Sequence, residues 1–413
     1  MGLFHMDLGL ERVHSATAAL NLLSPSYGVI HVVGTNGKGS TSRTIAELAR
    51  AHGLRVGLYA SPHFITPRER ILVDGRMLPP DAWVRSANAA MDAAPPEGLT
   101  YFEFLTVLAI HAFDAAGVDL AVMEAGLGGT YDAAGVLRTD LTVYTAIGMD
   151  HEAILGPTLA DIAADKAGAM RGGTPVVTTP QDDAAMRVLT AHAADVGAPL
   201  FRAADVLDYA PETGTIRRAK AHAPSAEGVL PRMKGPHQQR NLHLALAAWH
   251  LYAEARDIAI TADACRAAAA TAMVPGRFQH IPGEPDIYLD GAHNPQALTA
   301  LAQTLRAEGI QPAAVIFTCL ADKDLGTIAP QVRALAPDAP VYVPEMPDNS
   351  RARNAAETAR AIGAPAHAAP DMASALSRAK SHGGPVLLCG SLYLLAAFFT
   401  LHPEHLSDND HTH

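Results

Sequence analysis

The residues best suited to chemistry in this chain form one glycine-rich run near its start. The run reads Gly34-Thr35-Asn36-Gly37-Lys38-Gly39-Ser40-Thr41. An apolar, β-type segment at 29–33 precedes it, and a segment with helical spacing at 44–50 follows it. Glycines at such a turn let backbone N–H groups approach phosphate oxygens, and the helix N-terminus adds a favourable dipole. Lys38 would neutralise the β- and γ-phosphates, and a hydroxyl at 40 or 41 could reach Mg²⁺. The run therefore predicts an ATP site.

The run departs from the common phosphate-loop consensus at two points. Position 32 is not glycine, and Gly39 separates Lys38 from the hydroxyl residues. The alternative interpretation is an ordinary glycine-rich turn with a solvated lysine. The flanking strand and helix favour the ATP site, because they are the structural context that phosphate binding requires.

Three further polar side chains follow predicted strands. Ser61 comes after a strand at 54–59, Glu124 ends a strand at 119–123, and His151 follows one at 141–147. Taken singly, such a glutamate could be a cap or surface charge, and such a histidine a structural residue. In open α/β sheets, however, ligands bind at the carboxyl ends of the strands. The shared placement of these residues with Lys38 therefore predicts one common site.

Strands and helices alternate along the chain, which predicts an α/β fold. We expect two domains: a P-loop ATPase-like domain at 1–273 with a mostly parallel sheet and helices on both faces, a linker at 274–285, and a smaller Rossmann-like α/β domain at 286–413. Residues 200–232 are polar and irregular and predict a peripheral hairpin or excursion. The second series has predicted strands at 287–289, 314–317, 341–343 and 386–389. If the loop edges of the two domains face each other, they form a cleft.

Composition excludes several classes of protein. The 413 residues carry a net charge of −11, so no nucleic-acid partner and no anionic membrane surface is expected. The three cysteines lack metal-ligand spacing, and the N-terminus lacks a signal peptide, which together predict a cytoplasmic protein. A monomer is expected, because one chain supplies both sides of the cleft. Histidines after Leu406 could bind a metal, although a frayed terminus is the simpler interpretation.

Motifs in a fixed order along nearly the whole chain point to one family. They lie at 31–41, 61–63, 100–104, 124–129, 150–151, 165–168, 235–241, 275–278, 289–295, 322–324 and 390–393. In these motifs the chain resembles the folylpolyglutamate synthase and dihydrofolate synthase family, which is related to the Mur peptidoglycan ligases. The resemblance implies an ATP-dependent amide ligase. A substrate carboxylate attacks the γ-phosphate of ATP, and the amine of L-glutamate then attacks the resulting acyl phosphate.

The resemblance also implies a metal site. Ser61, Glu124 and His151 match the family's Mg²⁺ ligands. Lys166 matches a lysine that the family often carries as a carbamate, an anion that can help to hold a second Mg²⁺. The alternative for Lys166 is an ordinary surface lysine. With Lys38 and His293, Lys166 completes the predicted catalytic residues.

The remaining site residues are assigned by the same resemblance. Asn241, Arg277 and Asp290 would hold the adenine, phosphate and ribose of ATP. His293 and Ser391 are candidates near the amino-acid site. Phe102, Phe104 and Arg70 of the 61–70 loop are candidates for the pterin-bearing acid, because a flat heteroaromatic ring needs stacking partners. Asp132 is a further candidate on the side of the acid substrate. The two phenylalanines could equally be core residues of a helix.

Two segments depart from the family pattern. The family usually has an Asp followed three residues later by Asn, whereas this chain has Asp132 and then Gly135. The loop at 64–70 also differs from the family's usual Arg followed by an aromatic or polar residue ahead of Glu-Arg. Both departures concern the side of the acid substrate. Dihydropteroate, tetrahydrofolate or both are the expected acids. The alternatives are a Mur-like ligase for a non-folate carboxylate and a nucleotide-binding regulator that no longer ligates.

Overall fold

The computed structural model describes residues 9–218, 225–347, 349 and 351–406, which fall into two units. Unit 1 takes the chain up to Arg232 and from Gln238 to Ala272. Unit 2 takes Met233–His237 and the chain from Met273 onward. The histidines after Leu406 lie outside the described residues. No described helix is long and apolar enough to cross a membrane.

Unit 1 is built on an eight-stranded sheet with the order β4-β3-β2-β5-β1-β6-β7-β8. The strands are β1 (Gly28–Val33), β2 (Val56–Tyr59), β3 (Ile71–Val73), β4 (Arg76–Met77), β5 (Leu120–Glu124), β6 (Leu141–Tyr144), β7 (Val176–Thr178) and β8 (Leu200–Arg202). All neighbouring pairs are parallel except β2–β3 and β3–β4. The mostly parallel sheet is therefore confirmed.

Helices cover both faces of this sheet. They are α1 (Glu11–Ala19), α2 (Lys38–Ala51), α3 (Pro80–Asp92), α4 (Tyr101–Ala116), α5 (Glu152–Leu155), α6 (Leu159–Ala167), α7 (Asp183–Val196), α8 (Ala203–Val206), α9 (Pro236–Glu254) and α10 (Ala262–Thr271). In β1, Ile30 and Val32 pack in the core that includes α2 and α9, whereas Val29 packs in the core with α4. Alternate residues of a strand thus face opposite layers of helices, as in a sheet buried on both sides.

Two parts of unit 1 differ from the sequence-based expectation. Residues 71–77, to which the sequence assigned no strand, form the antiparallel β3–β4 hairpin. Asp74 and Gly75 both adopt positive φ, 51° and 79°, as a two-residue hairpin turn requires. The excursion predicted at 200–232 does contain a hairpin, β9 (Leu207–Ala210) with β10 (Thr215–Arg218). Its first residues, however, form β8 at the edge of the main sheet.

Unit 2 contains a six-stranded sheet with the order β11-β12-β16-β13-β14-β15. Its strands are β11 (Gln279–Ile281), β12 (Ile287–Leu289), β13 (Ala314–Phe317), β14 (Val341–Pro344), β15 (Ala366–Ala369) and β16 (Val386–Cys389). Its helices are α11 (Pro295–Ala307), α12 (Leu325–Leu335), α13 (Ala355–Ile362), α14 (Met372–Lys380) and α15 (Leu392–Leu401). The four predicted strands are present. Residues 279–281, expected in the linker, form β11 and pair antiparallel with β12.

Candidate active site

The glycine-rich run forms the turn between β1 and α2. Helix α2 begins at Lys38, and Gly37 precedes it with φ of 93°, a conformation that favours glycine. A Cβ atom at Gly37 would lie 2.5 Å from Oδ1 of Asn241, so the predicted adenine ligand contacts this turn directly. Lys38 Nζ donates to the carbonyl oxygens of Gly34 (3.1 Å) and Thr35 (3.3 Å). The turn therefore has the strand, glycine and helix arrangement that the sequence predicts.

Glu124 lies between the phosphate loop and the end of β2. Its side chain is buried, and Oε2 accepts a hydrogen bond from the backbone N–H of Ser61 at 3.1 Å. Both carboxylate oxygens lie 3.6–3.7 Å from the Cβ position of Gly39. The hydroxyl of Thr41 is buried, with no hydrogen-bond partner among the described residues. A carboxylate and hydroxyls beside a phosphate loop are the hard oxygen donors that Mg²⁺ prefers, so the residues fit this ion.

His151, the third predicted metal ligand, precedes α5. Its backbone has φ of 55°, and its N–H donates to Oδ1 of Asp150 at 2.9 Å. The imidazole is 40% exposed, with Nε2 4.0 Å from the same carboxylate oxygen. Asp150 is buried and was not among the predicted site residues. Its position directly before His151, after β6, is the sequence feature that could have identified it.

Lys166 lies in α6 and is only 4% exposed, so the surface-lysine alternative is wrong. Burial lowers the pKa of its amine to about 7, and the charge of Lys38 acts in the same direction. The carboxylates of Asp165, Asp150 and Asp132 act in the opposite direction. Because a neutral amine is the form that adds CO₂, this lowered pKa favours carbamate formation at Lys166.

The glycine-rich loop after Glu124 is held against the Lys166 turn by contacts that the sequence did not reveal. Gly129 packs on the backbone of Lys166, leaving no room for a Cβ atom. Asp165 Oδ1 accepts from the N–H of Gly129 at 2.9 Å, and Thr130 Oγ1 donates to the Asp165 carbonyl at 2.8 Å. Tyr144, at the end of β6, donates its hydroxyl to the Lys166 carbonyl at 2.7 Å. These bonds fix Lys166 relative to the strand ends.

The aromatic candidates lie at the start of α4. The ring of Phe102 packs directly on Gly126, and its centroid is 5.8 Å from that of Tyr59. Phe104 is also half-buried and packs against the same hydrophobic core. Phe102 thus touches the loop that follows Glu124. Both phenylalanines contribute to the core, and stacking on a pterin stays a prediction.

Arg70 connects the loop after β2 to the same helix. Its Nε donates to Nδ1 of His63 at 2.9 Å, and its guanidinium lies 5.9 Å from the ring centroid of Tyr101. The hydrogen bond places the proton of a neutral His63 on Nε2. Burial, together with the charge of Arg70, lowers the pKa of His63. Arg70 therefore organises this loop, whatever it contacts in a substrate.

Asp132 has internal partners for both carboxylate oxygens. Oδ2 accepts from Gly126 N–H at 2.8 Å, and Oδ1 accepts from Ala134 N–H at 3.1 Å. Oδ1 is also 3.3 Å from Nε2 of His31, which is buried in the middle of β1. Asp132 therefore shapes the loop at 126–134, and contact with the acid substrate stays a prediction. The sequence signals for His31 are its place at the start of the motif at 31–41 and its occurrence as a histidine within an apolar strand.

A partly buried ion pair fixes the start of α4. Thr100 and Glu103 form a reciprocal capping box, in which Thr100 N–H donates to Glu103 Oε2 at 2.7 Å. Arg12 of α1 donates from Nε (3.1 Å) and Nη2 (2.8 Å) to the same carboxylate. The pair spans 91 residues of sequence, so no local pattern could predict it.

Unit 2 brings its own predicted residues together at the ends of β12 and β16. Asp290 is buried and accepts from the N–H groups of Phe278 (2.9 Å) and Ala292 (2.8 Å). Burial raises its pKa, and the charge of Arg277 acts in the opposite direction. His293 Nδ1 is 2.7 Å from the Gly291 carbonyl, which places its proton on that nitrogen.

Ser391 is also at this edge of the unit 2 sheet. Its hydroxyl caps α15 by accepting from Tyr393 N–H at 3.1 Å, and its side chain is buried. A Cβ atom placed on Gly291 would lie 2.5 Å from Nη1 of Arg277 and 2.6 Å from Cδ2 of Leu392, the residue after Ser391. Arg277, Asp290, His293 and Ser391 therefore lie near one another within unit 2.

Comparison with known proteins identifies both parts of the chain. A family model described as the Mur ligase, glutamate ligase domain matches residues 276–392. The chain is 36% identical over 329 residues to the dihydrofolate synthase/folylpolyglutamate synthase of Escherichia coli, covering 78% of this chain and 75% of that protein. It is 34% identical to a probable bifunctional folylpolyglutamate synthase/dihydropteroate synthase of Haloferax volcanii, covering 95% of this chain but only 48% of that longer protein.

Solved structures agree with these relatives. E. coli FolC in complex with DHPP and ADP superimposes with a TM-score of 0.87 at 30% identity, covering 98% of this chain and 96% of that one. A bifunctional folylpolyglutamate synthase/dihydrofolate synthase with Mn, AMPPNP and L-glutamate bound matches with a TM-score of 0.85 at 30% identity, covering 97% and 96%. The predicted fold class, ATP and a divalent metal are confirmed. The chain belongs to the dihydrofolate synthase/folylpolyglutamate synthase family and is an ATP-dependent amide ligase.

Proposed function

We propose that this chain uses Mg²⁺-ATP to join L-glutamate to dihydropteroate, to tetrahydrofolate or to both. The observation that carries the proposal is the convergence of Gly39, Ser61 and Glu124 at the strand ends of unit 1, with Lys166 buried near Lys38. This arrangement suits a reaction in which the substrate carboxylate attacks the γ-phosphate. Phosphoryl transfer depends mainly on positioning and on charge neutralisation.

Each predicted nucleotide and metal ligand of unit 1 has a defined role in this proposal. Lys38 binds the β- and γ-phosphates, and the N–H groups at the start of α2 point towards them. Ser61, Glu124, His151 and a carbamylated Lys166 would hold two Mg²⁺ ions, which neutralise phosphate charge when bound. Asn241, beside Gly37, would contact the adenine. The resulting acyl phosphate is then open to attack by the amine of glutamate.

Unit 2 would supply the remaining contacts. Asp290 would hold the ribose and Arg277 the phosphates. His293 and Ser391 would lie near glutamate, the substrate class that the matched glutamate ligase domain indicates. Phe102, Phe104, Arg70 and Asp132 would form or shape the side of the site that binds the acid.

We also propose that the protein is a cytoplasmic monomer. All three cysteines are free and buried, which supports a reducing compartment.

The test is phosphate release from Mg²⁺-ATP and L-glutamate, with dihydropteroate and tetrahydrofolate offered separately. Stimulation by dihydropteroate alone would define a dihydrofolate synthase, and stimulation by tetrahydrofolate alone a polyglutamylating enzyme. Stimulation by both would define a bifunctional enzyme. Silence with both acids would contradict the proposed substrates, and a screen of other carboxylates would then test whether the departures at 64–70 and 135 redirect the ligase.

Lys38→Ala tests whether the phosphate loop takes part in the reaction. It should abolish acid-stimulated phosphate release while the thermal unfolding curve stays close to that of the parent. Lys234→Ala, which removes an exposed lysine, should leave turnover unchanged. Near-normal activity of Lys38→Ala would remove the role of the phosphate loop. Slow ATP turnover that no acid changes would instead favour a regulator that does not ligate.

A further inference from the structure

Three side chains of types that can ligate a metal lie close together in the turn that follows α15. The segment reads His402-Pro403-Glu404-His405, and Pro403–His405 form a single 3₁₀ turn. The candidate ligand atoms of His402, Glu404 and His405 all lie within 4.8 Å of one another. Nδ1 of His402 is 3.3 Å from Glu404 Oε1, and Nε2 of His405 is 3.6 Å from the same oxygen.

These spacings suit a transition-metal ion. Tetrahedral Zn²⁺ with ligands at about 2.0–2.2 Å requires ligand atoms roughly 3.3–3.5 Å apart. Two imidazoles with one carboxylate suit Zn²⁺ and its neighbours in the first transition row, whereas Mg²⁺ prefers oxygen ligands alone. The side chains are 34%, 60% and 36% exposed for His402, Glu404 and His405, so an ion could enter and water could complete its coordination.

The turn is fixed by contacts that do not involve the ligand atoms. The buried ring of Phe398 packs against both imidazoles, with centroid distances of 5.0 Å to His402 and 6.3 Å to His405. His402 N–H donates to the Phe398 carbonyl at 2.9 Å. Gln279 of β11 donates from Nε2 to the His405 carbonyl at 2.7 Å. Because the backbone and the rings are already held, little ordering would accompany metal binding.

We propose that His402, Glu404 and His405 form a binding site for a divalent transition metal, with Zn²⁺ as the preferred ion. The site belongs to unit 2 and uses none of the residues that we assign to ATP, Mg²⁺, glutamate or the folate-type acid. It is therefore independent of the ligase reaction. Failure to detect metal binding at this site would therefore leave the proposed ligase function unaffected, and failure of the ligase assay would leave the metal site unaffected.

Titration of the full-length protein with Co²⁺, followed by visible absorption, tests the site directly. The parent for this experiment carries His411→Ala and His413→Ala, because those tail histidines could bind metal themselves. Saturating Mg²⁺ is present throughout, and bound metal is counted after equilibrium dialysis. The parent should bind one Co²⁺ that the single variants His402→Ala and His405→Ala bind at least about tenfold more weakly. Zn²⁺ should displace this ion.

Two further variants make the result unambiguous. Glu404→Gln keeps the size of the side chain and one acceptor oxygen, but it replaces the other oxygen with a donating NH₂ group and removes the charge, so it should also weaken binding. His367→Ala removes an exposed histidine of the same unit and should leave the titration unchanged. Each variant's unfolding temperature without metal shows whether unit 2 is intact. Co²⁺ titrations of His402→Ala, His405→Ala and Glu404→Gln that superimpose on the parent's would overturn the site.

Discussion

Glu124 has its carboxylate in contact with two elements that ATP chemistry needs, the Ser61 turn and the phosphate loop. Glu124→Gln retains an oxygen that can accept from Ser61 N–H but loses the negative charge. We expect the Mg²⁺ concentration for half-maximal activity to rise at least about tenfold, because a neutral amide binds a hard cation weakly. Titration of activity with Mg²⁺ at fixed ATP measures this.

Glu254→Gln is the control for that experiment, since Glu254 is an exposed residue of the same unit paired with Arg218. It should give the parent's Mg²⁺ curve. An unchanged curve for Glu124→Gln would mean that its carboxylate is not a metal ligand.

Lys166 offers a prediction about covalent chemistry. Its buried amine has a lowered pKa, so in bicarbonate-containing preparations we expect carbamate density in a crystal structure, or the corresponding mass in native mass spectrometry. Lys166→Ala should lose most activity and regain part of it when a short carboxylate such as acetate is added. Lys38→Ala should show no such rescue. If no modification is seen and no rescue occurs, Lys166 acts as an unmodified amine or only structurally.

Helix α9 gives a prediction about acid stability. His243 Nε2 lies 2.8 Å from the Leu207 carbonyl, and His250 Nδ1 lies 2.8 Å from the Leu246 carbonyl. Burial is the main cause that lowers the pKa of both. The unfolded chain therefore binds more protons than the folded one as the pH falls through the ordinary histidine value of about 6.5. The free energy of unfolding should then decrease with falling pH.

Urea midpoints between pH 7.5 and 5.5 measure this decrease. His243→Gln with His250→Gln should flatten the pH dependence even if it lowers the midpoint at every pH. His367→Gln, at an exposed histidine, should keep the parent's slope. A double variant with the parent's slope would show that other groups control acid stability.

The elements also show how far sequence reasoning reaches. Apolar runs such as β1 and β16, buried along their whole length, predicted strands because their pattern is local and strong. Strand β15 was missed, since it consists of three alanines and a histidine, of which only Ala369 is buried, and these residue types have little strand character. The predicted strand ends brought Ser61, Glu124 and the phosphate loop together, while the roles of these residues stay predictions. Pairs such as Arg12–Glu103 and His31–Asp132, separated by 91 and 101 residues, depend on tertiary packing and had no local signal.

Considered as a whole molecule, the chain has separate hydrophobic cores in its two units. We expect calorimetry to resolve two unfolding transitions. Mg²⁺-ADP at about 100 times its dissociation constant should stabilise the unit that holds the phosphate loop by about 2.7 kcal/mol and raise its transition temperature.

Lys38→Ala is the control for this stabilisation, because it removes the phosphate contact without touching the cores. Its shift with Mg²⁺-ADP should be much smaller than the parent's. A single cooperative unfolding transition in the absence of nucleotide would contradict the expectation that the two units unfold separately.

The short segment at 233–237 has a consequence for how the protein is made. It belongs to unit 2, where Lys234 lies 3.9 Å from Glu308 and Gly235 packs against Thr304. Glu308 leaves the ribosome 74 residues after Lys234 (308 minus 234). A nascent chain stopped at 272 thus holds all of unit 1 while 233–237 still lacks its partners. Unit 2 must therefore pack against a segment that is synthesised before the last helices of unit 1. The two units consequently cannot fold strictly one after the other in the order of synthesis.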